Sequence, residues 1–207
     1  MPVIEDFNLS NKTRYVLWKI TENYEKLLSG IELDLSSDKL LFKKKSEIHK
    51  KQFLAVKNIL KYLSISEQKL NYDESGRVFL KSGRKISITH SGYYAGVILS
   101  DNEVGIDLEI MNDKILKIKN KFLETELNYP LKLNTEIALV YWNIKESIFK
   151  AIDKQGIDFK KNMLVTPLDM KKNITKSWYL DNDQIYSFDT HFKISKKYTL
   201  AYVIKNQ

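Results

Sequence analysis

Three carboxylates and a lysine offer the chemistry in this sequence. Asp107 and Glu109 stand two residues apart in VGIDLEI, at positions 104–110. Side chains alternate along a strand, so the two share one face, roughly 6.5–7 Å apart. Val104, Ile106, Leu108 and Ile110 take the other face. Glu146 and Lys150 stand four apart in WNIKESIFK, a spacing that puts both on one side of a helix. Mg²⁺ prefers a few carboxylates together with phosphate oxygens and water, and Asp107, Glu109 and Glu146 could supply them. Plainer readings stand beside this one. A strand with a wet face also carries D-x-E, and Glu146–Lys150 is the favourable surface pair worth about 0.2–0.5 kcal/mol. His90, in THSG where a strand stops, is either a functional loop residue or a structural histidine. The sequence has no H-E-x-x-H, P-loop or G-x-S-x-G motif.

Several elements must position these residues. RYVLWKI, 14–20, suits a strand because it is aromatic and β-branched. SEIHKKQFLAVKNILKYL, 46–63, reads as a helix with Phe53, Val56, Leu60 and Leu63 on one face. Lys50, Lys57 and Lys61 run along the edge of that face, as a solvated flank or as a rail for phosphates. YDESGRVFL, 72–80, reads as a turn into a short strand. KISITHSG leads to a second strand at 94–100, and SDNE, 100–103, is turn chemistry before the Asp107 strand. NTEIALVYWNIKESIFKAID, 134–153, reads as a helix with Asn134 as N-cap and Glu136 at the positive end of the dipole. Its core stripe is Ile137, Tyr141, Ile144, Ile148 and Ile152. Trp142, Glu146 and Lys150 lie opposite, flanked by Phe149, so that side is expected to face a groove or a second layer. Strands SWYL, QIYSF and KYTLAYVI follow. The order lacks regular βαβ alternation. It predicts an α+β fold of two similar-sized halves, 1–100 and 101–207, each a small, largely antiparallel sheet packed with a long helix.

The 207 residues are 43% hydrophobic, enough for a substantial core. No run reaches the roughly 18–20 apolar residues of a membrane span. The opening MPVIEDFNLSNKTRYVLWKI is not a basic start followed by an apolar run, so no secretory signal is expected. Without cysteine, disulfides and thiolate metal sites are excluded, and a cytoplasmic setting is expected. The net charge of +8 favours polyanionic partners, among them nucleic acid, an anionic membrane face, a phosphate-rich small molecule or an acidic protein. It does not choose among them.

ITHSG, VGIDLE and WNIKESIFK, in that order and at these separations, resemble the 4′-phosphopantetheinyl transferase superfamily. That family carries an S-H-S/G stretch, a G-[IV]-D-[IVL]-E strand and a W-x-x-K-E-x-x-x-K helix. The size and the two halves are similar to its larger, pseudo-dimeric Sfp-type members. The resemblance implies transfer of 4′-phosphopantetheine from coenzyme A to a serine of an apo acyl or peptidyl carrier protein, releasing 3′,5′-ADP. It implies a Mg²⁺ ion held by Asp107, Glu109 and Glu146, with Glu146 also the candidate base and Lys150 at the leaving phosphate. His90 and Ser91 would meet a CoA phosphate, with Lys50, Lys57 and Lys145 in further binding or supporting roles. Lys57 stands where the family usually has arginine, keeping the charge without the bidentate fork. Gly76-Arg77-Val78 stands for the family's G-K-P stretch, and Phe122–Glu126 matches its F-x-x-x-E segment. CoA-phosphate contacts would belong to 1–100 and the metal strand and helix to 101–207. The implied protein is a monomer that uses neither nucleic acid nor membrane. The competing expectation is a non-catalytic, basic nucleic-acid-binding module built on the Lys50/Lys57/Lys61 stripe.

Overall fold

The computed structural model describes residues 2–10, 12–66, 69–72, 78–130, 132–152, 154, 156–181 and 184–206. The fold is α+β with antiparallel sheets. Two compact units divide the chain, Met1–Asp101 and Asn102–Gln207. Among the described residues no helix is long and apolar enough to cross a membrane.

The first unit contains β1 (Val3–Ser10), β2 (Thr13–Lys19), α1 (Tyr24–Ser29), α2 (Leu35–Phe42), α3 (Glu47–Tyr62), β3 (Leu70–Tyr72), β4 (Val78–Leu80), β5 (Lys85–Ser91) and β6 (Tyr94–Ser100). Its main sheet has the order β1-β2-β6-β5, and β3 and β4 form a separate two-stranded piece. Gly76 and Arg77 lie outside the described residues. Val16 pairs with Val97, and Val97 with Ile88. Val16, Trp18, Val97 and Leu99 bury one sheet face against Leu54, Ala55, Ile59 and Leu60 of α3. Ser46 caps α3 by accepting from the His49 amide at 3.3 Å. The buried stripe of α3 centres on Leu54, Ala55 and Ile59. Phe53 and Leu63, expected inside, sit at its margin and are partly exposed.

The second unit contains β7 (Val104–Ile110), α4 (Lys114–Ile118), α5 (Thr135–Ile152), β8 (Met163–Val165), β9 (Ile174–Leu180), β10 (Ile185–Ile194) and β11 (Tyr198–Lys205). The sheet runs β7-β11-β10-β9-β8, antiparallel throughout. Asn134 caps α5, accepting from the Ile137 amide at 2.9 Å. Ile137, Tyr141, Ile144 and Ile148 are buried with Phe188, Ala201 and Val203 of the sheet. Two 3₁₀ turns, Lys119–Lys121 and Thr125–Asn128, carry the chain from α4 toward α5.

Candidate metal centre and its supports

β7 is buried on both faces through Asp107. Exposure begins only at Glu109 and Ile110. Its pairing with β11 sets Gly105 opposite Val203, Asp107 opposite Ala201 and Glu109 opposite Thr199. Gly105, Asp107 and Glu109 lie on the face covered by α5. The close approach is fixed by Gly105, where a Cβ would stand 1.8 Å from the Ser147 carbonyl oxygen. Glycine lets the helix backbone settle on the strand. The face that the plainer reading leaves wet is covered by a helix, and Asp107 is only 6% exposed.

α5 answers that face with polar contacts. Asn143 donates to Thr199 Oγ1 at 2.9 Å, and Ser147 donates to the Ala201 carbonyl at 3.1 Å. Lys150 donates to Asp107 Oδ1 at 2.7 Å and to the Ile106 carbonyl at 2.9 Å. Where the plainer reading pairs Lys150 with Glu146 on the surface, Lys150 instead forms a half-buried pair with Asp107 between helix and strand. Glu146 is pushed up to about 7, first by burial and then by the nearby Asp107 charge. Lys150 pulls the other way, and Glu109 adds a smaller push. Asp107, Glu109 and Glu146 therefore lie within one another's electrostatic reach.

Three carboxylates around one lysine are a donor set of the kind hard cations take. The mutual repulsion that raises Glu146 is what a divalent cation would relieve. In donor chemistry the residues fit Mg²⁺. Among the described residues no three His, Cys, Asp or Glu side chains already form a group that could hold a metal. A metal would have to draw these carboxylates together and compete with Lys150 for Asp107.

Lys145, the residue before Glu146, is fully buried. Its ammonium meets Glu126 Oε1 at 2.8 Å and the carbonyls of Phe122, Phe159 and Met163 at 2.6, 3.1 and 3.0 Å. Burial pulls its pKa down and Glu126 opposes that pull. Glu126 also accepts from the amides of Glu124 and Val165. Lys145 therefore spends its donors on the protein's own backbone, a different place from the ligand contact expected of it. Trp142 packs on Phe122 and Phe159, and Phe149 on Phe159. The expected second layer over this side of α5 is the unit's own segments around Phe122 and Phe159.

No family model matches the chain, and no curated protein matches it either.

In the first unit, His90 is exposed near the end of β5 and pairs with Ala95, while Ser91 pairs with Tyr94. Gln52 of α3 donates to the Gly92 carbonyl at 2.9 Å, tying the helix to that hairpin turn. Lys50 borders a cleft of about 350 Å³ lined also by Tyr24, Asp38, Lys39, Leu41, Phe42 and Lys43. Lys57 is not on the lysine rail. It is 3% exposed, donates to the buried Ser37 Oγ at 2.8 Å and lies 5.1 Å from the centre of the Phe53 ring. α2 covers it, so the continuous stripe proposed for nucleic acid is interrupted at its centre. Sequence reasoning missed Lys39 and Lys43 as neighbours of Lys50. Their signal is the run DKLLFKKK, whose first part ends α2.

Proposed function

We propose that this protein is a Mg²⁺-dependent 4′-phosphopantetheinyl transferase, moving phosphopantetheine from coenzyme A to a serine of an apo acyl or peptidyl carrier protein and releasing 3′,5′-ADP. The observation that carries it is the α5–β7 contact. There Asp107, Glu109 and Glu146 share one field and Lys150 is held among them. The ordered resemblance of ITHSG, VGIDLE and WNIKESIFK adds the substrate class.

When bound, Mg²⁺ would neutralise the pyrophosphate of CoA. Asp107, Glu109 and Glu146 would hold it. Glu146, raised to about 7 in the metal-free protein, is the candidate base toward the carrier serine. The serine oxygen would form a bond to the β-phosphorus as the bond to the 3′,5′-ADP oxygen breaks. Lys150 offers an ammonium to the charge that develops on the leaving phosphate. Once Asp107 turned to a metal, Lys150 would be released for that role. His90, Ser91 and Lys50 are the proposed CoA-phosphate contacts. Lys57, being buried, supports α2.

The two-unit layout supports a pseudo-dimeric, Sfp-type arrangement, since each unit pairs an antiparallel sheet with one long helix. A cytoplasmic monomer acting on an acidic carrier fits the +8 charge. The test is direct. Purified protein is incubated with Mg²⁺, CoA and an apo carrier protein, and intact mass is read. A gain equal to one phosphopantetheine, lost on chelation, is expected. No gain across fatty-acid, polyketide and peptide carriers overturns the assignment.

A further inference from the structure

Three consecutive residues of α5 face three ways, because successive side chains on a helix are about 100° apart. Lys145 is enclosed by Glu126 and the carbonyls of Phe122, Phe159 and Met163. Ser147 is fastened to the sheet through the Ala201 carbonyl, beside the Gly105 approach. Glu146 stands between these two anchors. A buried ammonium that loses an acceptor is costly, so the Lys145 cluster holds its geometry stiffly. The cluster gathers three stretches of chain: the segment before α5, α5 itself, and the segment leading into β8. On the other side of the helix, the Asn143–Thr199 and Ser147–Ala201 bonds fix α5 against β11. A rotation of α5 about its axis would have to break one set or the other.

We infer that the Lys145–Glu126 pair is a positioning device for Glu146, setting the rotation of α5 so that the Glu146 carboxylate meets Asp107 and Glu109 over one cation. This rests on the metal role proposed above. It gives Lys145 a task distinct from contact with CoA, and Glu126 a task distinct from catalysis. The pair touches neither substrate nor metal; it acts through the helix.

The test uses the full chain with two substitutions, Lys145→Met and Glu126→Gln. The second keeps the shape of the side chain and an acceptor for the ammonium. Hydrogen exchange on the metal-free proteins reads residues 119–129 and 157–165, and electron paramagnetic resonance reads Mn²⁺ binding with CoA saturating. Faster exchange in both segments is expected in each variant. Mn²⁺ affinity should fall about tenfold in Lys145→Met, as when the support of a metal ligand is lost, and less in Glu126→Gln. The pantetheine-transfer KM for CoA should change little. A folded variant whose segments loosen while Mn²⁺ affinity stays at the wild-type value reduces the pair to a stabilising role and overturns the inference. Wild-type exchange in both segments overturns it too. If Lys145→Met does not fold, Glu126→Gln decides by the same two readings. Wild-type protein that binds no Mn²⁺ overturns the metal role itself, and the positioning role with it. That outcome is distinct, because the failure then appears before any substitution.

Discussion

At Glu146 the environment sets a protonation state with a measurable consequence. Its carboxyl is pushed from the ordinary 4.5 to about 7, by burial first and by Asp107 second. An acid with a raised folded pKa binds its proton more tightly folded than unfolded. Its contribution to stability therefore falls as pH rises from about 4.5 to 7 and is flat above that. Metal-free protein should lose stability across this window, and Glu146→Gln should remove about 3 kcal/mol of that loss. Urea titrations at pH 5 and pH 8 check this; parallel slopes in the two proteins would refute it. Mg²⁺ should raise the pH 8 midpoint of wild type and leave that of the variant nearly unchanged. Asp107 and Lys150 form the second test. Because Asp107 is buried and paired, Asp107→Ala would strand Lys150, and Asp107→Asn is the cleaner change. It should nearly abolish transfer at limiting Mg²⁺ while the far-ultraviolet circular dichroism stays native. Lys150→Met should slow turnover about 10²–10³-fold, the usual cost of one preorganised contact to developing charge. Its Mg²⁺ requirement should not rise, since a metal no longer competes with Lys150 for Asp107, which separates it from Glu146→Gln.

Gly105 tests the strand–helix seam as an element. Any Cβ there would meet the Ser147 carbonyl at 1.8 Å, and backbone cannot rotate out of the way. Gly105→Ala should separate α5 from β7 or distort both, costing about 3 kcal/mol or more, at the severe end for one substitution. A melting temperature within two degrees of wild type would contradict the packing described. The same seam shows what sequence can reveal at this scale. The spacing of Ile137, Tyr141, Ile144 and Ile148 survives in the fold because α5 turns that stripe into one large buried face, while the alternation of VGIDLEI still sorts Gly105, Asp107 and Glu109 onto one side although both faces of β7 are buried. α1 and α2, at six and eight residues, leave no periodic signal in the sequence, since two turns carry too few apolar positions to show a period. β1 carries no strand signal because it is an edge strand with Glu5, Asp6 and Asn8 among its residues. The place of Lys57 depends on α2. Helical spacing puts that lysine at the rim of α3, and only the covering helix with Ser37 makes it interior. Asp107, Glu109, Glu146 and Lys150 were legible because strand and helix periods place them. The Lys145–Glu126 pair was not, since its partners come from irregular segments that no period registers.

For the molecule as a whole, ligand linkage offers a test that does not depend on turnover. Any molecule that binds the folded chain alone raises its stability by RT ln(1 + [L]/Kd), about 2.7 kcal/mol at a hundredfold excess over Kd. In a domain of this size class each kcal/mol shifts the melting temperature by roughly 2–4 °C. CoA with Mg²⁺ should therefore raise it by about 5–10 °C. The net charge of +8 favours the more anionic ligand, so 3′-dephospho-CoA should raise it less, and the gap should narrow with added salt. The two lysines of α3 then separate. Lys50 borders the cationic cleft with Lys39 and Lys43, so Lys50→Ala should shrink the gap between the two ligands with little change in the ligand-free melting temperature. Lys57 is buried against Ser37 and the Phe53 ring, so Lys57→Met should lower the ligand-free melting temperature first. Equal shifts from CoA and 3′-dephospho-CoA in wild type would rule out the 3′-phosphate contact. A Lys57→Met variant with native stability and no gap would give the 3′-phosphate contact to Lys57, against its buried position.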